Sequence, residues 1–267
     1  MPDNAPIFIL TVSRSGSTLL RLALNAHPEI VAPPEMHLLT LGQRLLWTHR
    51  ITLPPDETDV WKPAIAATRA VIGRMMEALT ERSGKVIWCE KSVTSINHLD
   101  VLSGVFPEAR RLCLVRHAAD MVASALRAIA TDPTGYDFEP YLADEPLRPQ
   151  ALLRYWVDKT EQIVAVEDDG GLRVRYEDFV KQPGVALDRI ARAFDLDGPP
   201  DWADRIYDAP AELGPGDASA YARDRVTIDS LGRGSTLDWG GVSRNLVRRA
   251  NRLLDQLGYA PLESQER

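Results

Sequence analysis

The chain has 267 residues, of which 45% are hydrophobic and 26% are charged, and its formal net charge at neutral pH is −7. This length is enough for a sizeable buried core, and the net negative charge argues against nucleic acid or an anionic membrane as the main partner. The N-terminal apolar run is too short for a signal or membrane segment. Because Cys89 and Cys113 both lie in apolar runs, we expect reduced, buried thiols and a cytoplasmic protein.

The first informative feature in chain order is a turn between an apolar run and a helical pattern. Ile7–Val12 is rich in β-branched residues and ends abruptly at Ser13–Thr18. This order predicts an anion-binding loop, because its amides and the helix N-terminus point at the ligand. It is not the nucleoside-triphosphate loop, since only Gly16 remains and the cation is Arg14, inside the loop. The candidate ligand contacts are Arg14, Ser15, Gly16, Ser17 and Thr18; the alternative is an ordinary turn capped by Ser17.

Strands and helices alternate along the rest of the chain. Apolar runs predict strands at Ile7–Val12, Lys85–Cys89, Arg111–Val115 and Leu172–Tyr176. Helical patterns lie at Ser17–Ala26, Val60–Glu81, Asp120–Ala130, Ala151–Glu167, Gly184–Phe194 and Val242–Leu257. We therefore predict a P-loop-like α/β fold, with a mainly parallel central sheet and helices on both faces.

We expect one domain that spans residues 1–267. Two stretches rich in proline and glycine, Thr131–Gln150 and Asp208–Gly234, are predicted to be irregular. Long loops in compact domains are often lids or binding loops. The predicted substrate or lid segments are residues 33–50, 131–150 and 208–231, and a disordered surface loop is the alternative for the proline-rich ones.

Charged residues follow three of the predicted strands. Arg14 follows the first, Lys91 the second and Arg116 the third. Ligands of parallel sheets bind beyond the carboxyl ends of the strands, so we expect these residues at one edge. Ser124, two helical turns after Arg116, is predicted to bind a second phosphate with it; a surface arginine and a packing serine are the alternative. The Arg233-Gly234 pair supplies a further basic loop, so a ligand with several phosphate-like groups is favoured.

Taken together, these motifs resemble the sulfotransferases that use 3′-phosphoadenosine 5′-phosphosulfate (PAPS). The segments that carry the resemblance are Ser13–Leu20 with Asn25–Pro28, Leu114–Ser124, Arg175–Pro183 and Gly234–Trp239. They are similar, in that order, to the 5′-phosphosulfate loop, the 3′-phosphate motif, a late strand and turn, and the C-terminal nucleotide loop of the family. The resemblance is closer to the tyrosylprotein branch and to sulfotransferase domains of polyketide assembly lines, which Pro33–Leu39 particularly resembles.

The resemblance implies PAPS as the donor, 3′-phosphoadenosine 5′-phosphate (PAP) as the product, and no metal. It also implies that Lys91 stabilises the leaving phosphate and the sulfuryl oxygens. Tyr176 and Arg233 join the candidates for nucleotide contact, and core packing is the alternative for Tyr176. The chain departs from cytosolic members of the family in three places. These members have lysine at Arg14, tryptophan at Leu19, and a second cation beside Arg233.

The general base is predicted less directly. Cytosolic members have a histidine two residues after the catalytic lysine, and that position is Val93 here. In the tyrosylprotein branch a glutamate lies eight residues past the histidine of Ala-His-Pro, which corresponds to Glu35. A glutamate serves as base when burial raises its pKa, whereas the alternative, His37, has a suitable pKa without burial. His27 is expected to be structural.

The sequence therefore predicts a sulfotransferase that moves a sulfuryl group from PAPS to a hydroxyl of a small metabolite or of a carrier-bound acyl chain. A kinase with a variant phosphate loop and a nucleotide-binding module without turnover are the alternatives. The absent Gly-Lys-[Ser/Thr] and magnesium-binding aspartate count against the first, and Lys91 with a candidate base counts against the second. Neither nucleic acid nor a membrane is an expected partner, and the acceptor and the oligomeric state are left open.

Overall fold

The computed structural model describes residues 4–52, 61–132, 134–208 and 223–262. Its central feature is a five-stranded sheet with the strand order β2-β3-β1-β4-β5, in which β1 and β2 each pair in parallel with β3. The strands are β1 Ile7–Thr11, β2 Ile30–Val31, β3 Ile87–Glu90, β4 Arg110–Val115 and β5 Leu172–Arg175. The predicted α/β fold with a parallel central sheet is confirmed.

Helices occupy most of the remaining described chain. They are α1 Ser17–Asn25, α2 Leu38–Thr52, α3 Trp61–Ser83, α4 Leu99–Val105, α5 Ala118–Thr131, α6 Glu139–Asp144, α7 Arg148–Asp168, α8 Tyr176–Lys181, α9 Pro183–Phe194 and α10 Arg244–Gln256. A 3₁₀ helix covers Val93–Asn97. The six helices predicted from periodicity are all present, with their ends shifted by a few residues.

The sequence missed several short elements and also α2, a helix of 15 residues that covers most of the predicted substrate segment 33–50. β2 has only two residues, too few for any alternation to show. The stretch 131–150, predicted to be irregular, contains α6 and the first turn of α7, so that prediction was partly wrong. Most of the third predicted lid, residues 209–222, lies outside the described residues.

The chain divides into two compact units. The first unit comprises Met1–Leu10, Thr18–Leu112 and Asp188–Asp224. The second comprises Thr11–Ser17, Cys113–Leu187 and Arg225–Arg267. The prediction of a single domain stays a prediction.

The core of the first unit explains why its strands are continuous apolar runs. Ile7–Leu10 is entirely buried, as expected for a strand covered on both faces. Phe8, Trp88 and Phe106 form an aromatic cluster with ring centroids 5.5–5.6 Å apart. This packing holds the end of β3, which carries Glu90 and leads into Lys91, in a fixed position.

The core of the second unit is built around α7, where Tyr155 and Trp156 are fully buried. Phe138 is fully buried as well, with its ring stacked on Tyr136 at 4.8 Å and edge-on to Tyr155 at 5.7 Å. The segment before α6 is therefore packed on this core, which argues against the alternative of a disordered surface loop for that part of the chain.

Candidate active site

The predicted anion loop follows β1, and its residues up to Ser17 belong to the second unit. Two of its residues have positive φ, 66° at Arg14 and 89° at Gly16. Gly16 has a second reason to lack a side chain, because a Cβ there would lie 2.2 Å from ring atoms of Tyr176. The hydroxyl residues predicted for the loop are all buried, namely Ser15, Ser17 and Thr18. The ring of Tyr176 therefore packs directly against this loop.

The first residue of the loop is held by a hydrogen-bonded network that sequence reasoning missed. The Ser13 amide donates to the Tyr155 hydroxyl over 2.8 Å, and that hydroxyl donates to Asp137 Oδ2 over 2.6 Å. The Ser13 hydroxyl donates to the other oxygen of Asp137. Burial raises the pKa of Tyr155 well above its usual value, so Tyr155 stays a neutral donor. The network fixes where the loop begins.

Arg116 connects three parts of the second unit. Its Nη1 donates to the Arg14 carbonyl over 2.9 Å, and its Nη2 donates to the Ser230 carbonyl over 2.8 Å. Its guanidinium carbon lies 4.5 Å from the centre of the Tyr176 ring, and the Tyr176 hydroxyl is 2.8 Å from the Ser230 hydroxyl. Two of its three nitrogens therefore organise the loops, while the buried Nε has no hydrogen-bond partner among the described residues.

Further cationic side chains of the second unit lie near Arg14 and Arg116. Arg14 Nε donates to Ser124 Oγ over 3.2 Å, which joins the loop to α5. Burial lowers the pKa of Arg127, and the neighbouring guanidiniums of Arg233, Arg116 and Arg14 lower it further. Mutual repulsion of this kind favours a bound anion. Sequence reasoning missed Arg127, although its position one turn after Ser124 on the same helix was a usable signal.

The C-terminal loop is tied to the start of α5 by Asp120. The amides of Gly232 and Gly234 donate to its two carboxylate oxygens over 2.8 and 2.7 Å. A Cβ at Gly234 would lie 2.2 Å from the backbone of Ala119, so this glycine is required by packing alone. Arg233, between the two glycines, is exposed. The loop thus presents Arg233 while its own amides are already paired.

The first unit contains the predicted catalytic lysine and base as an ion pair. Lys91 Nζ donates to Glu35 Oε1, and the Lys91 and Glu35 side chains are only 1% and 10% exposed. Burial lowers the pKa of Lys91, whereas the adjacent Glu35 carboxylate raises it. These two residues are 56 positions apart in the chain, so only the fold brings them together.

The rival base lies in a different setting. His37 is exposed, and its Nδ1 lies 2.9 Å from the Thr94 hydroxyl. Its backbone has a φ of 53°, which is uncommon for a residue other than glycine. The contacts therefore associate Glu35, and not His37, with Lys91.

Two neighbours of Lys91 were not singled out from the sequence. Glu90 is 1% exposed and accepts hydrogen bonds from the Ser92 hydroxyl and the Leu38 amide. Burial raises the pKa of Glu90 to about 7, although the hydrogen bond from Ser92 acts in the opposite direction. Carboxyl groups are rarely this deeply buried, and those with a strongly raised pKa are concentrated at functional sites.

His27 is structural, as expected. It is fully buried, its Nε2 lies 2.9 Å from the Asp197 carbonyl, and its ring packs edge-on against Trp202 at 4.7 Å. Burial lowers the pKa of His27, so its neutral form is favoured.

Metal ligands and membrane-spanning helices can be assessed for all residues that the structure describes. No group of three or more histidine, cysteine, aspartate or glutamate residues in it has the arrangement of a metal site. No helix among these residues combines the length and the apolar character that crossing a membrane requires.

Residues 6–201, more than half of the chain, match the sulfotransferase family. The chain is 27% identical over 208 residues to protein-tyrosine sulfotransferase A of Caenorhabditis elegans, covering 75% of this chain and 51% of the relative. It is 26% identical over 274 residues to protein-tyrosine sulfotransferase 2 of Gallus gallus, covering 96% and 69%. The chain thus spans about half the length of the first relative and about two thirds of the second.

Among solved structures, the sulfotransferase domain from the Synechococcus PCC 7002 olefin synthase matches with a TM-score of 0.66. The two chains are 22% identical, and the match covers 96% of this chain and 95% of the other. At this level of identity the likeness concerns the fold, and it confirms the fold that the strand and helix pattern predicts. The motifs after the strands and the family match agree: the chain belongs to the sulfotransferase family of enzymes.

Proposed function

We propose that the chain transfers a sulfuryl group from PAPS to a hydroxyl group, with PAP and a sulfate ester as products. The observation that carries the proposal is the buried Lys91–Glu35 pair at the end of β3. A lysine and a carboxylate in contact supply the two things that this chemistry needs from a protein, a fixed positive charge and a proton acceptor. The acceptor is proposed to be a small metabolite or a carrier-tethered acyl chain.

The second unit supports a donor with several phosphate-like groups. Arg14, Arg127 and Arg233 contribute neighbouring positive charges. Ser15 Oγ and Arg116 Nε are buried polar atoms without a hydrogen-bond partner among the described residues, which is the state expected of groups that a ligand completes. PAPS, when bound, supplies the sulfuryl group together with the phosphates that such residues bind. We therefore assign this cluster to the nucleotide.

In the proposed mechanism, Glu35 accepts the proton of the attacking hydroxyl group. Lys91 Nζ donates to Glu35 Oε1, so the proposed proton acceptor is held directly beside the proposed source of positive charge. Lys91 stabilises the negative charge that develops as the acceptor is sulfated, and its burial strengthens this effect because a buried charge is screened less than an exposed one. Sulfuryl transfer resembles phosphoryl transfer in depending mainly on positioning and charge.

Ligand binding and turnover test the proposal separately. PAP at a hundred times its dissociation constant should stabilise the protein by about 2.7 kcal/mol, measured as a rise in Tm. Labelled PAPS should then sulfate a member of a hydroxyl panel that includes metabolites, carrier-protein thioesters and tyrosine peptides. Stabilisation by ATP with magnesium and none by PAP would contradict the proposal.

The cellular setting is also a proposal. A cytoplasmic location is supported by Cys89 and Cys113, which are both buried and form no disulfide. Fractionation of cells that express the protein would test it, and recovery with a secreted or organellar fraction would contradict it.

A further inference from the structure

The segment that carries Glu35 is attached to the end of β3 by two backbone amides. The His37 amide donates to the Ser92 hydroxyl over 2.9 Å, and the Leu38 amide donates to Glu90 Oε1 over 3.4 Å. The Ser92 hydroxyl in turn donates to Glu90 Oε1, so both attachments depend on this one oxygen. Because α2 begins at Leu38, these amides have no partner within the helix, and Glu90 and Ser92 satisfy them.

Side chains alternate in direction along an extended chain, which explains why Lys91 contacts a different partner from Glu90 and Ser92. Glu90 is the last residue of β3, and Ser92 is extended as well, with φ −121° and ψ 128°. Successive side chains of an extended chain point to opposite sides. Glu90 and Ser92 therefore face the start of α2, while Lys91 between them meets Glu35.

The attachment lies at a strained point of the chain. His37 adopts a φ of 53°, a conformation that persists only where the surroundings hold it. Ser92 binds the amide of His37 itself, two residues from Glu35. Loss of that bond would let the turn relax and move the carboxylate away from the lysine.

We propose that Glu90 is a positioning residue for sulfuryl transfer, since together with Ser92 it holds the turn before α2 so that Glu35 meets Lys91. The inference rests on the proposed function in one respect, the roles of Glu35 and Lys91 in the reaction. Glu90 itself acts through these residues and contacts no reacting atom.

Both protonation states of Glu90 are compatible with this role. Both hydrogen bonds are accepted by Oε1, whereas Oε2 is buried and has no hydrogen-bond partner among the described residues. A neutral carboxylic acid keeps Oε1 as an acceptor, and burial raises the pKa of Glu90 to about 7. Glutamine has the same shape and the same acceptor, so it should replace Glu90, whereas leucine has a similar size and no acceptor.

The test compares Glu90→Gln and Glu90→Leu with the unmodified chain. In Glu90→Leu we expect kcat to fall about 10- to 100-fold, as for other small misplacements of catalytic groups, with the PAP dissociation constant unchanged. Hydrogen exchange of the His37 and Leu38 amides should become faster in the same variant. Glu90→Gln should retain both the kcat of the unmodified chain and the slow hydrogen exchange of the two amides.

Two outcomes would overturn the inference. One is a normal kcat in Glu90→Leu, and the other is unchanged exchange of the two amides. Since exchange needs no substrate, it tests the attachment even if the chain sulfates no acceptor, which separates this inference from the proposed function. If Glu90→Leu does not fold, Ser92→Ala removes the hydroxyl that binds the His37 amide and Glu90, while the bond from the Leu38 amide to Glu90 remains. This variant should show a smaller change of the same kind, and no change would again overturn the inference.

Discussion

The two units hold their cations in opposite ways. In the second unit, Arg116 is fixed by backbone carbonyls and an aromatic ring, and other arginines are close enough to repel one another. In the first unit, Lys91 is buried against a carboxylate. A cluster of positive charges attracts an anion. A buried ion pair instead holds a positive charge and a carboxylate, which can accept a proton, in a defined geometry. This difference is consistent with the proposed roles, donor binding for the second unit and proton transfer for the first.

The largest expected effect comes from replacing Glu35, the proposed base, in the first unit. Glu35→Gln should lower kcat by about 10²- to 10⁴-fold, because glutamine cannot accept the proton. PAP affinity, which we assign to the second unit, should stay the same. Steady-state kinetics together with PAP titration measure the two quantities.

His37→Ala is the matched control for that experiment, and it should retain most of the activity. A large loss in His37→Ala with little loss in Glu35→Gln would reverse the assignment of the base and weaken the contrast between the units.

The next effect concerns stability and arises from the buried carboxyl of Glu90. Its pKa is about 7 in the folded chain, against a usual value of 4.5, so the folded state binds the extra proton between these pH values. Stability of the unmodified chain should therefore rise as pH falls from 7 towards 4.5, by about 3 kcal/mol from this group. The amide introduced by Glu90→Gln does not titrate. The stability of this variant relative to the unmodified chain should therefore be higher at pH 8 than at pH 5. Urea denaturation at both pH values measures it, and an equal difference at the two would contradict the burial argument.

A smaller effect is expected from Arg116, whose side chain holds two loops of the second unit together. Arg116→Ala removes two charged hydrogen bonds to backbone carbonyls and should raise the PAP dissociation constant about 10- to 100-fold. Turnover at saturating donor should change less than in Glu35→Gln. Isothermal titration gives the affinity, and an equal loss in kcat with unchanged affinity would show that the two units do not divide the roles as proposed.

The smallest effect belongs to Arg127, which is exposed and screened by solvent. Arg127→Ala should weaken PAP binding only about two- to fivefold, and less at high salt. Arg154→Ala is a suitable control, since Arg154 is an exposed arginine of the same unit that lies near Glu145. Equal effects of the two variants would remove Arg127 from the nucleotide cluster.

Prediction from the sequence succeeded where the signal is local. The strand, polar turn and helix around Gly16 lie within one short stretch, and the lysine after β3 follows directly from the strand pattern. The residues that the sequence missed act over long separations. Asp120 binds amides 112 and 114 positions away, and Asp137 binds Ser13 across 124 positions. Sequence periodicity does not reveal such pairs, because the residues next to each partner form no motif that indicates the other.

By itself, the amino-acid order determined the α/β fold, the family and the candidate cations, since these depend on apolar periodicity and on short motifs with their own local chemistry. The tertiary structure alone decided which residues act on each other. It paired Lys91 with Glu35, placed Arg116 and Asp120 where they hold loops, and buried Glu90 against the start of α2. The physical reason is that burial and charge pairing depend on neighbours in space, and these neighbours are defined only once the sheet and its helices have packed.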